Sequence, residues 1–98
     1  MHLEIQAVHF DLRDETREFI EEKLQKIDFA ADMIVDLEFT LVRDAREFEQ
    51  EVKVHFRWGK SHVIKLRSFE LHEGLERLLS KLEMKVRKEK EKIKEHKA

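Results

Sequence analysis

The chain has 98 residues, of which 41% are hydrophobic, so it is long enough for one folded domain with a modest core and too short for two. The absence of cysteine excludes disulfides and thiolate metal sites, and two glycines without any proline leave no glycine-rich phosphate loop. Residues 1–58 hold 8 basic and 15 acidic residues, a net of −7, whereas residues 59–98 hold 12 and 7, a net of +5, and this asymmetry predicts a polyanion-facing surface in the C-terminal part.

The first predicted elements are a strand and a helix. In residues 3–10, Leu3, Ile5 and Ala7 lie on one side at every second position, which is typical of a half-buried strand, β1. Asp14 then precedes a stripe with helical spacing and is predicted to cap helix α1, about residues 15–27. The stripe that should face the core consists of Thr16, Ile20, Leu24 and Ile27.

Two alternations of apolar with polar residues predict strands β2 and β3, each with one buried face. The apolar positions are Val35, Leu37, Phe39 and Leu41 in β2, and Val52, Val54, Phe56 and Trp58 in β3. The charged segment 43–47 between them suits a hairpin loop. Aromatic rings such as those of Phe56 and Trp58 can stack on nucleobases, but the alternation favours a place in the core for both.

The next strand, β4 (residues 62–68), is predicted from a weaker alternation. If a three-residue loop closes the hairpin, Trp58 faces His62 and Val54 faces Leu66, so that apolar groups stay together. A rim position with satisfied polar groups is expected for His62. The face turned away from the core then carries a predicted cationic patch: Lys53, His55, Arg57, Lys65 and Arg67.

A long amphipathic helix, α2, is predicted from Glu70 onward, over roughly 25 residues that would span about 37 Å. Because that length exceeds the width of so small a core, residues 85–98 are expected to project as a basic helix end. Gly74 is its only interruption and costs about 1 kcal/mol relative to alanine. The order βαβββα predicts an α+β fold with a four-stranded, mainly antiparallel sheet and both helices on one face, formed by residues 1–98 as a single domain. The α2 stripe is Leu71, Leu75, Leu78, Leu82, Val86 and Ile93.

Two rows of basic residues border this stripe when α2 is wound at 100° per residue. Neighbours within a row lie roughly 5 to 6 Å apart, so a row can contact successive phosphates of a nucleic acid. Such binding would not depend on the base sequence and would weaken as the salt concentration rises. The alternative is an ordinary solvated face with Lys–Glu pairs. One row is Lys81, Lys85, Lys88 and Lys92, and the other is Arg87, Lys90, Lys94 and Lys97.

Catalytic and metal chemistry find little support in the sequence. None of the six histidines forms an H-x-x-x-H pair, the serines lack a nucleophile context, and the carboxylates lie mostly on predicted polar faces. We therefore expect no enzyme activity, no metal or other cofactor and no small-molecule substrate. The N-terminus lacks a basic segment leading into an apolar stretch, and no run approaches about 20 apolar residues, so a cytoplasmic protein without a membrane partner is expected.

Two stretches resemble the ribosome hibernation-promoting factor and ribosome-associated inhibitor family, also known as the sigma-54 modulation protein family. Residues 10–27, with Lys23-Leu24-Gln25-Lys26, are similar to the first helix of the family and its K-L-x-K ending. Residues 81–96 are similar to its D-K-L-E-x-x-x-R-K-x-K-x-K-x-K-x-H signature. The sequence departs from the family at His72, Ser80 and Glu89, and through four glutamates in α1.

The resemblance implies a double-stranded-RNA-binding-like fold that lodges in the decoding channel of the small ribosomal subunit, across the tRNA and mRNA paths. Translation would then be blocked under stress or in stationary phase, by a short form that lacks a dimerising second domain and is a monomer when free. The partners are the small subunit and its ribosomal RNA. With Lys85 added from the first row, the candidate RNA-binding residues are Lys23, Lys26, Lys81, Lys85, Arg87, Lys88, Lys90, Lys92 and Lys94.

A second function, of a different class, is also compatible with the sequence. The projecting part of α2 could pair with a helix of a partner protein, in which case it would need an exposed apolar seam. Past Val86, only Ile93 offers one.

Overall fold

One four-stranded sheet carries both helices on a single face. The computed structural model describes residues 1–95, with side chains as far as Ile93. The α+β fold predicted from the sequence is confirmed, and a 3₁₀ helix between α1 and β2 is an additional element. The elements are β1 (His2–Val8), α1 (Asp14–Leu24), the 3₁₀ helix (Gln25–Met33), β2 (Ile34–Asp44), β3 (Glu47–Phe56), β4 (Ser61–Ser68) and α2 (Leu71–Glu95).

The strands lie in the order β1-β2-β3-β4. β1 and β2 are parallel because α1 and the 3₁₀ helix return the chain between them, while the two hairpins make β2, β3 and β4 antiparallel. The register aligns apolar residues across the whole sheet. In one such row the neighbours are Ile5, Phe39, Val52 and Ile64.

The β3–β4 hairpin differs from the predicted register by four residues. Val54 pairs with His62 rather than Leu66, because the connecting turn spans residues 57–60 and begins two residues earlier than expected. Its backbone is closed by the Phe56 N–H, which donates to Lys60 O at 2.8 Å. An even shift leaves each side chain on its predicted face, but it removes Trp58 from the strand and from the core, so the predicted burial of Trp58 is wrong.

Two other local predictions are wrong. Val35 is 44% exposed, because an irregularity in the pairing at Ile34 and Asp36 turns Ile34 into the core instead. Asp14 does not cap α1: it is the first helical residue, and Arg13 holds the N-cap position without a side-chain hydrogen bond. In the first turn, the Asp14 carboxylate still favours the helix by complementing its dipole.

The core lies between the sheet and the helices, and the predicted stripe of α1 is buried in it. His72 joins the two helices, since its Nε2 lies 3.0 Å from Thr16 Oγ1 and its ring stacks on Phe19 at 4.8 Å. Gly74 lets α2 approach the sheet closely: a Cβ at this position would lie 2.8 Å from Gln50 Cδ and closer still to Ser68 Oγ. Gln50 is fully buried and donates to that Ser68 oxygen at 2.8 Å.

The second half of α2 stays in contact with the rest of the domain. Val86 and Glu89 are buried, and Ile93 is partly buried against the core. The helix end predicted to project begins at residue 85, whereas these contacts with the domain extend to Ile93. Residues 96–98 of that predicted end lie outside the described residues. The long helix accounts for the extended shape, 50 × 21 × 20 Å.

Candidate nucleic-acid interface

The basic residues of α2 line two different sides of the helix. On the side of β4, Lys81, Lys85 and Lys88 border a shallow groove floored by Ile64 and Met84. Lys92 continues this line toward the 57–60 turn, where it meets Lys60. We call Lys81, Lys85, Lys88 and Lys92 the β4-side row. All four predicted members of this row are thus brought together on one surface.

A single buried carboxylate organises the far end of the β4-side row. Glu89 is 2% exposed, and its Oε1 accepts a hydrogen bond from Lys60 Nζ at 3.1 Å. The same oxygen lies 3.6 Å from Lys92 Nζ and 3.9 Å from Lys85 Nζ. One negative charge therefore holds three ammonium groups, which leaves the cluster with a positive surplus.

Burial alone would raise the pKa of Glu89, but the hydrogen bond from Lys60 and the charges of Lys60, Lys92 and His62 outweigh it, so that its pKa is lowered. The carboxylate is consequently ionised near neutral pH. His62 Nε2 lies 3.4 Å from Glu89 Oε1. Burial, followed by the charge of Lys85, lowers the pKa of His62, although Glu89 partly opposes this. His62 is therefore mainly neutral at pH 7, and the positive surplus comes from the lysines.

The second predicted row lies on the side of the 3₁₀ helix. Arg87 and Lys90 sit over the ring of Phe29, at 4.6 and 4.9 Å from its centroid, and Lys90 Nζ donates to Phe29 O at 3.4 Å. Arg87 also donates to Glu83 at 3.1 Å. These contacts fix the direction of both cations. The Lys94 side chain, predicted to extend this row, lies outside the described residues.

Lys23 and Lys26 occupy a third place, beside a small cleft between α1 and α2. Lys23 Nζ lies 3.8 Å from Glu76, and the cleft is also lined by Ser80 and Glu83. Acidic neighbours weaken the positive potential here relative to the β4-side row. Within the described part of the chain, Lys26, Lys81 and Lys88 form no ion pair.

The prediction of a cationic patch on the outer face of the sheet is wrong. Arg67 is held by Glu47 and Glu49 at 3.2 and 3.1 Å, and by Asp44 at 3.3 Å. Lys65 lies 3.5 Å from Glu49. Because the acidic residues of β1, β2 and β3 on this face outnumber its basic residues, the face is acidic rather than cationic.

Two residues of the site, Lys60 and Phe29, could not be identified from the sequence, and a third, Trp58, is predicted from the alternation to lie in the core. Lys60 and Trp58 lie in the turn, and their approach to α2 depends on the true hairpin register. Phe29 lies in the 3₁₀ helix, beyond the predicted end of α1. No helix among residues 1–95 is long and apolar enough to cross a membrane, and no three potential metal ligands cluster among the described side chains.

Comparison with known proteins gives one family and one fold. A sequence profile described as "Sigma 54 modulation protein / S30EA ribosomal protein" matches residues 3–94. The chain is similar to the structure of a ribosomal subunit interface protein from Coxiella burnetii, with a TM-score of 0.82 and 22% identity over 92% of this chain and 98% of that one. The N-terminal domain of Protein Y from Thermus thermophilus is also similar, with a TM-score of 0.78 and 19% identity over 90% and 98%. No curated protein sequence matches the chain.

Proposed function

The chain belongs to the sigma 54 modulation protein / S30EA ribosomal protein family, and from this membership we propose that it is a ribosome hibernation factor. It binds the small ribosomal subunit in the decoding channel, through phosphates of the ribosomal RNA. Its folded body fills the path of tRNA and mRNA, so translation stops under stress without a catalytic step. The protein works in the cytoplasm and needs no cofactor.

The β4-side row is the observation that carries this proposal. Its ammonium groups lie along one rigid helix, and Lys81 and Lys88 form no ion pair with a described carboxylate. Cations in this arrangement can replace counterions along an RNA backbone, whatever its sequence. The Coxiella burnetii structure with the same fold is named a ribosomal subunit interface protein, which supports a ribosomal partner.

Pairing of α2 with a partner helix is less well supported. Val86 is fully buried, and Ile93 already packs against the core of its own domain. Past residue 86, the described part of α2 therefore leaves no fully exposed apolar side chain for such a partner, and Met84, which is 63% exposed, lies among the lysines of the β4-side row. A partner helix would have to displace contacts within the domain.

Co-sedimentation with purified small subunits tests the proposal. The variant Lys81→Glu/Lys88→Glu reverses two unpaired charges of the β4-side row, and we expect it to lose association at moderate salt. Arg46→Glu/Lys53→Glu is the matched control, because it makes the same change in net charge at two exposed residues away from α2. This control should sediment like the unmodified protein.

Two results would contradict the proposal. Failure of the unmodified protein to sediment with small subunits, even at low salt, would exclude the ribosomal partner. Equal losses for the two double variants would show that only net charge matters and that the β4-side row is not the contact surface. Inhibition of translation in a cell-free system should follow the same order as sedimentation.

A further inference from the structure

An aromatic groove lies at the end of the β4-side row. It is lined by Arg57, Trp58, Lys60, Glu89, Lys92 and Ile93, and we call it the Trp58 groove. Trp58 is 39% exposed, although it is the largest apolar side chain of the protein. One face of its indole covers Phe56, with ring centroids 4.9 Å apart and planes within 10°, so the exposed part consists of the other face and the ring edges.

The indole is held in place rather than free to move. The ring of Phe56 beneath it is completely buried. Gly59 has a φ of +88° that suits glycine, and its N–H donates to Phe56 O at 3.0 Å. The Arg57 N–H donates to Met33 O at 3.0 Å and ties the turn to the 3₁₀ helix. A fixed aromatic surface loses little entropy when a second ring stacks on it.

The rim of the groove is positive. Arg57, Lys60 and Lys92 contribute three cations against the single carboxylate of Glu89. Glu89 is itself buried and already accepts the hydrogen bond of Lys60, so it presents little negative charge to a ligand. An exposed aromatic face next to cations that can hold phosphates is the combination that single-stranded nucleic acids recognise.

We propose that the Trp58 groove binds one unpaired RNA nucleotide, whose base stacks on Trp58 and whose phosphates lie against Lys60 and Lys92. This inference rests on the proposed function, since the groove continues the β4-side row and the same RNA strand would follow both. It adds a base contact to an interface that otherwise contacts phosphates. The RNA at this point is single-stranded, because both faces of a base inside a duplex are covered by the neighbouring bases.

Trp58 is the only tryptophan, and the chain has no tyrosine, so fluorescence of the unmodified protein reports on this site alone. Titration with a short oligoadenylate should quench it. An abasic ribose-phosphate oligomer of the same length carries the same phosphates and should leave it nearly unchanged. Equal quenching by both oligomers would show that phosphate binding alone perturbs the indole, and would overturn the stacking proposal.

Affinity for a labelled oligoadenylate, measured by fluorescence anisotropy, gives a second test. Trp58→Leu should bind about 5-fold to 100-fold more weakly, as expected for one lost base stack, whereas Trp58→Phe should lose less. Thermal unfolding of both variants shows whether the turn is still folded. A folded Trp58→Leu that binds as tightly as the unmodified protein would mean that Trp58 only covers the core.

Sedimentation with small subunits separates this proposal from the proposed function. If Trp58→Leu sediments like the unmodified protein, the base contact is absent from the ribosomal complex and the stacking proposal falls, while ribosome binding stands. If oligoadenylate quenches fluorescence but the unmodified protein does not sediment, the groove binds single-stranded RNA and the ribosomal proposal falls.

Discussion

Gly74 and Gln50 form the closest approach between α2 and the sheet. On helix propensity alone, Gly74→Ala would stabilise the protein by about 1 kcal/mol. The structure reverses this expectation, because the new methyl group would overlap the buried, hydrogen-bonded side chains of Gln50 and Ser68. The close packing of α2 on the sheet therefore requires a residue without a side chain at position 74, although glycine disfavours the helix.

We expect Gly74→Ala to lower the free energy of unfolding by about 1–3 kcal/mol, the usual cost of overpacking. Urea unfolding followed by circular dichroism measures this change. Ser80→Ala, at an exposed position of the same helix, should change the stability by less than about 0.5 kcal/mol. A stabilised Gly74→Ala would mean that α2 can move away from the sheet at no cost.

His62 and Glu89 make the stability sensitive to acid. The pKa of His62 is lowered from 6.5 by burial and by Lys85, so the unfolded chain binds a proton more readily than the folded one. Stability therefore falls as the pH drops below about 6.5. The pKa of Glu89 is lowered from 4.5, by contacts that outweigh its burial, so its contribution is lost at still lower pH and in the same direction.

The variant His62→Gln should accordingly lose less stability than the unmodified protein between about pH 7 and pH 5. Melting temperatures measured across this range provide the comparison. His2→Gln serves as the control at an exposed position of β1 and should follow the unmodified protein. A melting temperature of the unmodified protein that rises on acidification would contradict the assigned direction.

The sequence predicted the buried side chains correctly where the spacing of apolar residues stays regular through a whole helix or strand. In α1, for example, Ile20 and Leu24 are buried as expected. It failed where a period ends: Val35 lies within the pairing irregularity between Ile34 and Asp36, and Trp58 lies two residues beyond the end of β3. Alternation shows which face a side chain takes, but it does not show where hydrogen bonding between strands stops.

Turn geometry explains the error in the hairpin register. A four-residue turn and a three-residue loop are both compatible with Gly59, and the apolar faces agree in either register because the two differ by an even number of residues. The basic rows of α2 could be predicted from helical spacing alone. The participation of Lys60 and Phe29 could not, since it depends on how the turn and the 3₁₀ helix pack against α2.

The 3₁₀ helix holds the second half of α2 through one aromatic ring. Phe29 lies beneath Arg87 and Lys90, and each cation–π contact near the surface contributes about 0.5–1 kcal/mol. We expect Phe29→Leu, which keeps the apolar contact, to lose about 1 kcal/mol of unfolding free energy, measured in urea. This loss should shrink in an Arg87→Ala background, because one of the contacts is then already absent.

Phe69→Leu is a matched control for this experiment. Phe69 is 76% exposed, and no described cation lies over its ring. The control should leave the stability unchanged. An equal loss for Phe29→Leu in the presence and absence of Arg87 would assign the role of Phe29 to hydrophobic packing alone.

At the scale of the whole molecule, the acidic first part and the basic second part of the sequence contribute to two surfaces of different charge. The outer face of the sheet pairs opposite charges across its strands, as between Glu51 and Lys65 at 3.6 Å. The β4-side row has only the buried Glu89 among its ammonium groups. An approaching polyanion is therefore attracted mainly to α2, which orients the protein before contact is made.

This separation predicts how RNA binding responds to salt. The logarithm of the affinity of the unmodified protein for small subunits should fall linearly with the logarithm of the salt concentration. Each lost lysine–phosphate contact should reduce the slope of this line by about one. Lys81→Ala/Lys88→Ala should therefore reduce the slope by about two, whereas Arg46→Ala/Lys53→Ala should leave it unchanged. Binding measured by sedimentation at several salt concentrations provides the slopes. A lower affinity of Lys81→Ala/Lys88→Ala with an unchanged slope would mean that these lysines contact protein or base edges rather than phosphates.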